Sequence, residues 1–408
     1  MASQASQDRS STPAGYGRRA ANSPAAAPLL SIEVWRDPRA VLPVWEELEA
    51  VAAISVYQTR AFLLPWLATL GAARNIAPLF VVAKDRQARA LALLAFRIEK
   101  SGIFRVARFL GGKESNINLG LFRPGVVFGR ADIETLLRQS VKSLGAEAPD
   151  VFALVNQPRE WRGTRNPFAL LSHQQSPSSA YAMTLGAKTQ AVLATVLRDP
   201  QKKLHSKELR LARLGRVALI ANDTPKLALL ILNAFFAQKT ARLRAQGIEA
   251  NLAEPAMRAF LEKLTLAPPG QSPFLKFYAL TAGDRIVATS AGALYRGCFS
   301  GMVNSFDIDP EIARQSPGEL LLRKLIVDQC EAKLDMLDFG VGKAQYKSHY
   351  CDVSVPLFDT LLPVGDKGRI FAFYESTRLR LKAAIKANRI LFENFRRLQR
   401  LLQGQPPG

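Results

Sequence analysis

Apolar residues near the start of the chain recur at helical spacing. The pair Asp37-Pro38 is a typical helix start, and apolar residues then recur every three positions over 42–51. The pattern predicts a helix over 38–52. A second helix is predicted over 59–71, kinked by its internal proline.

Strand-like runs follow these two helices. Short apolar runs rich in Val, Leu and Phe are separated by polar turns, which favours consecutive antiparallel strands. The predicted strands cover 78–84, 89–99 and 104–112. A helix over 131–145 and a strand over 149–156 complete this half of the chain.

The second half repeats the same order. The predicted elements are helices over 224–247 and 254–264, strands over 273–281, 286–295 and 298–307, a helix over 318–333 and a strand over 334–339. The repetition predicts a degenerate internal duplication with two α+β halves of similar topology. The alternative is that this order recurs by chance.

The chain is long enough for two domains. It has 408 residues, of which 48% are hydrophobic. Residues 1–28 are rich in Ala, Ser, Gln and Pro, which predicts a disordered tail. The predicted domains cover 29–190 and 191–365, with a basic connector at 198–216, and a basic helix occupies the C-terminal segment 366–408.

The charge of the chain favours anionic partners. Lys plus Arg total 55 and Asp plus Glu total 34, so the net charge is +21. The basic connector is either a solvated helix or a contact surface for an anionic substrate. The C-terminal helix, apolar along one side, either packs on protein or adsorbs to a membrane surface.

Cysteine and histidine usage excludes several classes of site. The three cysteines are far apart, which favours a reducing, cytoplasmic setting, and no apolar run is long enough to cross a bilayer. His173, His205 and His349 are not spaced as zinc ligands, so no metal is expected. The chain also lacks a nucleophile elbow, a Walker loop and a dinucleotide loop. Residues 338–340 read Asp-Phe-Gly, but the other kinase motifs are missing.

The stretch at 314–325 predicts an anion site. Pro317 and Gly318 interrupt the chain before a helix, so the first amides of that helix lack intrahelical partners and the positive end of its dipole faces the loop. This geometry suits a phosphate. The alternative is that the loop only begins a helix, since every such loop presents these amides.

Two sequence motifs resemble a known family. The strand meander followed by a loop and a helix is the order of the GNAT acetyltransferase fold, and residues 315–320, QSPGEL, resemble its Gln/Arg-x-x-Gly-x-Gly/Ala pyrophosphate loop, with Leu320 departing from the last small position. The stretch 316–350 further resembles the CelD-like branch, which is associated with cellulose or exopolysaccharide biosynthesis. This resemblance covers about 31–365. It implies two tandem GNAT-like domains with mixed, largely antiparallel sheets, and a C-terminal helix.

The resemblance also implies an activity and a site. The expected activity is acyl-CoA-dependent transfer, of acetyl or another acyl group, to an amine or hydroxyl of a polysaccharide, sugar or peptide acceptor. The acyl donor would lie between the strand at 298–307 and the strand that ends at Asp338. The residues that would bind acyl-CoA are Arg314, Gln315, Ser316, Gly318, Glu319 and Lys347.

Three further residues are candidates for catalysis in that site. Tyr346 would protonate the departing thiolate, and Asp338 or His349 would orient groups or accept the proton of the nucleophile. Ordinary structural roles are open for each of them: packing for Tyr346, a turn cap for Asp338 and a structural role for His349. Lys347 is as compatible with a solvated surface as with a phosphate contact.

The sequence is also compatible with two functions other than acyl-CoA-dependent transfer. The duplicated architecture also resembles FemAB-like transferases, which use aminoacyl-tRNA on a peptidoglycan precursor, and the positive charge suits that donor. Acyltransferase folds also occur as non-catalytic scaffolds, for example in a polysaccharide synthase complex. The first half lacks a Gln-x-x-Gly loop, so we expect it to be non-catalytic and to shape the acceptor cleft. No nucleic-acid-binding module is recognisable, and we expect a cytoplasmic protein, peripheral to the inner membrane if the C-terminal helix binds lipid.

Overall fold

Two mixed β-sheets form the frame of the protein. A computed structural model describes residues 31–197, 201–246, 254–267 and 271–387. The predicted tail at 1–28 and the part of the predicted C-terminal helix beyond residue 387 lie outside this description. Within the described ranges, no helix combines the length and the apolar character needed to cross a bilayer.

Seventeen strands and eleven α-helices are assigned within these ranges. The strands are β1 Ser31–Trp35, β2 Ala77–Lys84, β3 Ala90–Ser101, β4 Phe104–Phe109, β5 Leu121–Phe122, β6 Val151–Pro158, β7 Glu160–Trp161, β8 Thr164–Arg165, β9 His173–Gln175, β10 Ala180–Thr184, β11 Val217–Ala221, β12 Leu275–Ala282, β13 Arg285–Tyr295, β14 Cys298–Phe306, β15 Met336–Val341, β16 Val353–Val355 and β17 Leu357–Pro363. The helices are α1 Leu42–Val51, α2 Arg60–Trp66, α3 Arg130–Ser140, α4 Thr189–Leu197, α5 Gln201–Leu211, α6 Pro225–Ala245, α7 Pro255–Thr265, α8 Pro310–Ala313, α9 Pro317–Glu331, α10 Gln345–Tyr350 and α11 Asp366–Ala387.

The two sheets share one topology, which confirms the predicted tandem α+β architecture. The first runs β1-β2-β3-β4-β6-β17-β9, with β5 beside β3, and the second runs β11-β12-β13-β14-β15-β10-β16. Each sheet contains one parallel pair, β4 with β6 and β14 with β15. A helix follows the first strand of each pair, α3 in one sheet and α9 in the other, as a parallel crossover requires.

One strand of each half pairs in the sheet of the other half. Strand β10 precedes the connector in the chain but lies between β15 and β16 of the second sheet, and β17 lies between β6 and β9 of the first. The predicted domain bounds at 29–190 and 191–365 remain a prediction, and the pairing of these two strands crosses them.

A shared core joins the two halves. The buried tryptophans Trp45 and Trp66 of the first half belong to the same apolar cluster as Phe235 and Phe277 of the second. Across this contact, the rings of Phe62 and Phe260 stack edge to face at 5.6 Å.

A polar clamp adds to this contact. The last carbonyls of helix α1 have no partner within the helix. The Arg296 guanidinium, in the turn after β13, donates to the carbonyls of Glu49 (2.8 Å), Ala50 (2.6 Å) and Ala52 (2.8 Å). A cation at a helix C-terminus also complements the helix dipole. The clamp fixes the second sheet against the first half.

The predicted elements agree with the structure to within a few residues at most ends. The helix predicted over 131–145 instead ends at Ser140 and continues as a 3₁₀ turn, with a break at Gly145 (φ 50°). The described part of the basic connector is helical over α5. Several elements were not predicted, because each is short or lacks a clear apolar period: strands β1, β5, β7, β8, β9, β10, β11, β16 and β17 and helices α4, α8 and α10.

Candidate active site

Strands β14 and β15 are paired over only three residues. The paired residues are Cys298 with Met336, Phe299 with Leu337 and Ser300 with Asp338. Beyond this point β14 stays with β13, whereas β15 pairs with β10. The two parallel strands therefore separate and leave a cleft at their carboxyl ends.

A β-bulge in β14 lies where this separation begins. Ala291 pairs with Val303, but Gly292 pairs with Gly301, so Met302 is an extra residue on β14. A bulge bends its strand and leaves one residue outside the hydrogen-bond ladder. The bulge turns β14 away from β15 and presents irregular backbone to the cleft.

The cleft opens into a cavity of about 950 Å³. Its walls come from β14, the N-terminus of α9, β15 and its following turn, α10, α6 and one residue of the first half. The polar or charged residues in this lining are Asn116, Lys239, Arg242, Gln246, Thr289, Ser290, Asn304, Ser305, Ser316, Glu319, Asp338, Lys343, Tyr346, Lys347 and His349.

Asp338 forms the floor of the cavity. Its side chain is buried, and its Oδ1 accepts a hydrogen bond from the Gly340 amide at 2.7 Å. Burial raises the pKa of this carboxyl above its ordinary value, while the Gly340 amide, the Ser300 hydroxyl and the charge of Lys347 oppose the rise.

Lys347, on α10, also contacts the end of β15. Its Nζ donates to the Gly340 carbonyl at 3.0 Å and lies 5.6 Å from the centre of the Tyr181 ring. The residue is buried, and burial lowers the pKa of its amine, whereas Cys351 and Asp338 act in the opposite direction. Lys347 is therefore hydrogen-bonded to the end of β15 and is not a solvated surface lysine.

Tyr346 and His349 line the cavity from α10. They are three residues apart on this short helix, so they share one face. Tyr346 is 37% exposed, and its ring lies 6.1 Å from that of Phe339. Burial of part of the ring raises the pKa of its phenol, with a smaller contribution from Cys351.

The predicted phosphate loop divides into two parts. Ser316, Gly318 and Glu319 line the cavity at the start of α9, and the Lys207 Nζ donates to the Ser316 hydroxyl at 2.7 Å. Ser316 is in the left-handed conformation (φ 53°), which turns the chain into the helix.

Arg314 and Gln315 are not brought to the cavity. The Arg314 guanidinium pairs with the Glu311 carboxylate at 2.8 Å, and the Gln315 amide donates to the Glu311 carbonyl at 3.1 Å. Both side chains therefore turn back onto the preceding short helix α8.

Two basic residues of α6 were missed by the sequence reasoning. Lys239 donates to the Asn304 carbonyl at 3.3 Å, and the Arg242 guanidinium lies 4.7 Å from the centre of the Phe306 ring. Burial, and then the charge of Arg242, lower the pKa of the Lys239 amine. A Cβ at Gly318 would lie 3.6 Å from the Phe306 ring, and Lys239, Arg242 and Gly318 line the same cavity, so both cations lie near the N-terminus of α9. The sequence signal for this arrangement is weak: both residues belong to the basic last two turns of α6, together with Arg244.

The first half also contributes to the wall. Asn116 donates from its amide to the Tyr57 hydroxyl at 2.7 Å and lines the cavity beside Gly340. Tyr57 is fully buried, and burial together with the negative charge of Asp338 raises the pKa of its phenol. Both residues lie in stretches without a motif, so the sequence alone did not single them out.

The comparisons with known proteins agree with this geometry. Residues 198–348 match the family model described as an acetyltransferase (GNAT) domain. The chain contains a GNAT-type acyltransferase domain. That domain holds the cleft between β14 and β15, the α9 N-terminus and most of α10. The predicted acyltransferase activity class is thereby confirmed.

Solved structures extend the likeness in fold over most of the chain. The crystal structure of FemX is 8% identical and aligns over 83% of this chain and 100% of that chain, with a TM-score of 0.55. A conserved protein of unknown function from Bacteroides thetaiotaomicron VPI-5482 is 14% identical over 81% of this chain and 100% of that chain, with a TM-score of 0.51. A tandem GNAT protein from the clavulanic acid biosynthesis pathway is 9% identical over 82% of this chain and 99% of that chain, with a TM-score of 0.48. No curated protein sequence matches significantly.

The described residues contain no group of three or more His, Cys, Asp or Glu side chains that would hold a metal ion. The three histidines lie in separate elements, with His173 on β9, His205 on α5 and His349 on α10.

Proposed function

We propose that the protein transfers an acyl group, acetyl in the simplest case, from acyl-CoA to an amine or hydroxyl acceptor. The observation that carries this proposal is the separation of β14 and β15 after Ser300 and Asp338. The resulting cleft has basic groups and a helix N-terminus on one wall and titratable side chains at its floor and on α10. A thioester with a phosphorylated carrier fits that distribution of charge.

The phosphates of the donor would bind at the start of α9. The first amides of a helix are free to bind an anion, and the helix dipole favours it there. We assign this contact to the Gly318 amide and the Ser316 hydroxyl, since the Glu319 amide already donates to the Ser316 carbonyl at 3.0 Å. Lys239 and Arg242 add positive charge from α6.

The acyl carbon would then lie at the point of separation. The nucleophilic nitrogen or oxygen of the acceptor attacks the thioester carbonyl carbon and gives a tetrahedral intermediate with a negative oxygen. The backbone at the Met302 bulge is the group we propose to stabilise this oxygen, because its amide lies outside the regular ladder. The carbon–sulfur bond then breaks, and the acyl group remains on the acceptor.

Two protons move in this reaction. Tyr346 donates one to the departing thiolate, since it is partly exposed on α10 and lines the cavity. The proton of the nucleophile passes to His349 or to Asp338. A raised pKa makes the Asp338 carboxylate a better proton acceptor, whereas His349 is the more accessible of the two.

The proposed acceptor is a polysaccharide, a sugar or a peptide. The likeness to the CelD-like branch supports a cytoplasmic role in cell-surface polysaccharide biosynthesis. Asn116 and Tyr57 support a role for the first half in shaping the acceptor cleft, because both lie beside the floor of the cavity.

A donor-exchange assay tests the proposal. The full chain is incubated with acetyl-CoA and mixtures of amino sugars, sugars and peptides, and the release of free thiol and of acylated product is measured. We expect thiol release that depends on an acceptor and is lost in Tyr346→Phe. Transfer from aminoacyl-tRNA with none from acyl-CoA would replace this proposal with the FemAB-like alternative. If neither donor reacts and neither binds, the scaffold alternative holds.

A further inference from the structure

Helix α11 exposes four large apolar side chains along one side, with Thr377 between them. Ile370, Phe373, Tyr374 and Leu381 are 65%, 77%, 63% and 61% exposed. With about 100° between successive residues of a helix, these four side chains fall within an arc of about 100°. A single exposed apolar residue is ordinary in a folded protein, but a stripe along three turns is the pattern of a contact surface.

The opposite face of α11 is fixed to the first half. Phe371 and Leu379 are buried, and the Phe371 ring stacks on that of Phe104 with centroids 5.4 Å apart. Gly368 allows close approach at the start of the helix, because a Cβ there would lie 1.8 Å from the Asp150 carbonyl oxygen. The helix cannot rotate to bury its outer stripe without losing these contacts.

Basic residues flank the stripe on both sides. On the same helical projection, Lys367 and Arg378 fall on one side, and Arg369 and Arg380 fall on the other. Two of these four cations are paired with acids of the same helix: Arg369 with Asp366 at 2.9 Å, and Arg378 with the buried Glu375 at 2.6 Å. Over 366–387 the helix carries six Lys or Arg against two Asp or Glu, so its net charge is +4.

We propose that α11 docks on the surface of an anionic lipid bilayer, with its apolar stripe in the headgroup region and its basic flanks against lipid phosphates. This arrangement is that of an interfacial helix, which lies in the membrane plane. The positive charge of the flanks complements the negative charge of the lipid phosphates, which favours a bilayer over other partners. A second copy of the chain would bring like charges together along the same stripe, and a nucleic acid would leave the apolar residues without a partner.

Vesicle co-sedimentation of the full chain tests this docking. The vesicles contain phosphatidylcholine alone or phosphatidylcholine with phosphatidylglycerol, at low and high salt. The test variant is Ile370→Ser/Phe373→Ser. The control is Leu230→Ser/Leu294→Ser, which removes two apolar residues that are 52% and 57% exposed elsewhere. All these side chains are on the surface, and acyl transfer by each variant reports that it is folded.

The expected result is binding to the anionic vesicles that weakens with salt, is at least about tenfold weaker in the test variant and is unchanged in the control. Three results would overturn the proposal. They are no binding at low salt, equal binding by the wild type and the test variant, and a lipid-free dimer that becomes a monomer in the test variant. Equal binding by the wild type and the test variant would mean that charge alone drives binding, as in a nucleic-acid contact. A lipid-free dimer that becomes a monomer in the test variant would mean that the stripe binds a second copy of the chain.

Discussion

Ser300 on β14 and Asp338 on β15 are the last register pair of the β14–β15 contact, the only parallel pairing in the second sheet among the residues that the structure describes. From this pair the strands diverge, so the buried carboxyl of Asp338 lies at the apex of the cleft. The hydroxyl of Ser300 hydrogen-bonds to that carboxyl. The apex therefore places a titratable group where an acyl carbon in the cleft would meet its acceptor.

Replacing Tyr346 by phenylalanine tests its role as proton donor. We expect Tyr346→Phe to lower kcat by about 10²- to 10⁴-fold, the usual contribution of acid–base catalysis, while donor affinity changes by no more than about twofold. Tyr350→Phe is the matched control, since it removes a phenol from the same helix outside the cavity lining. Equal turnover of the two variants would remove Tyr346 from the mechanism.

The basic residues of α6 are expected to control donor affinity. Lys239→Gln/Arg242→Gln should weaken acyl-CoA binding by about 10- to 100-fold, because a hydrogen bond to a charged group contributes roughly 1.5–3 kcal/mol. The loss should shrink as salt rises. Lys226→Gln removes an exposed charge from the same helix as a control. If the control weakens binding as much, the effect is one of net charge and not of the site.

The end of strand β15 requires a glycine at residue 340. Gly340 has φ 71°, and a Cβ there would lie 2.7 Å from the Asn116 amide nitrogen. Gly340→Ala should lower the free energy of unfolding by about 1–3 kcal/mol and abolish most turnover. Gly342→Ala carries similar backbone strain (φ 102°) with open space around the new methyl group. Chemical denaturation should show a smaller loss for Gly342→Ala, and equal losses would mean that the Asn116 contact has no energetic effect.

The buried carboxyl of Asp338 is expected to make stability depend on pH. Burial raises its pKa, so the native state binds more protons than the unfolded state, and this group destabilises the protein as pH rises from its ordinary value of 3.8 through the raised pKa. Asp338→Asn should therefore be more stable than the wild type near neutral pH, with a difference that vanishes in acid. Denaturation midpoints over a pH series measure it. A variant that is less stable at neutral pH would show that Ser300, Gly340 and Lys347 outweigh burial.

The sequence predicted the regular elements well, because long amphipathic helices and alternating strands carry strong periodic signals. The resemblance to GNAT acyltransferases implied a gap between the strand at 298–307 and the strand that ends at Asp338, and the structure has a cavity lined by residues of both strands. The exchange of β10 and β17 was not predictable, because strand pairing between distant segments leaves no local pattern. Lys239, Arg242 and Asn116 were missed for a related reason. Each looks like an ordinary surface residue until the fold brings it to the cavity.

The predicted phosphate loop shows that sequence can also suggest contacts that the fold does not form. Its sequence, from Gln315 to Leu320, suggested one continuous set of phosphate ligands. The structure turns the Arg314 and Gln315 side chains onto Glu311 and leaves Ser316 and Gly318 at the cavity. Side-chain direction at a helix start depends on the preceding turn, here the left-handed Ser316, which the sequence pattern did not reveal.

Calorimetric titration of acetyl-CoA into the wild type and into the Lys239→Gln/Arg242→Gln variant tests whether an acyl thioester binds in the cleft between β14 and β15. We expect saturable binding with one site per chain in the wild type and binding weakened by about 10- to 100-fold in the variant. No saturable binding by the wild type, or equal affinity in the two proteins, would contradict binding in this cleft.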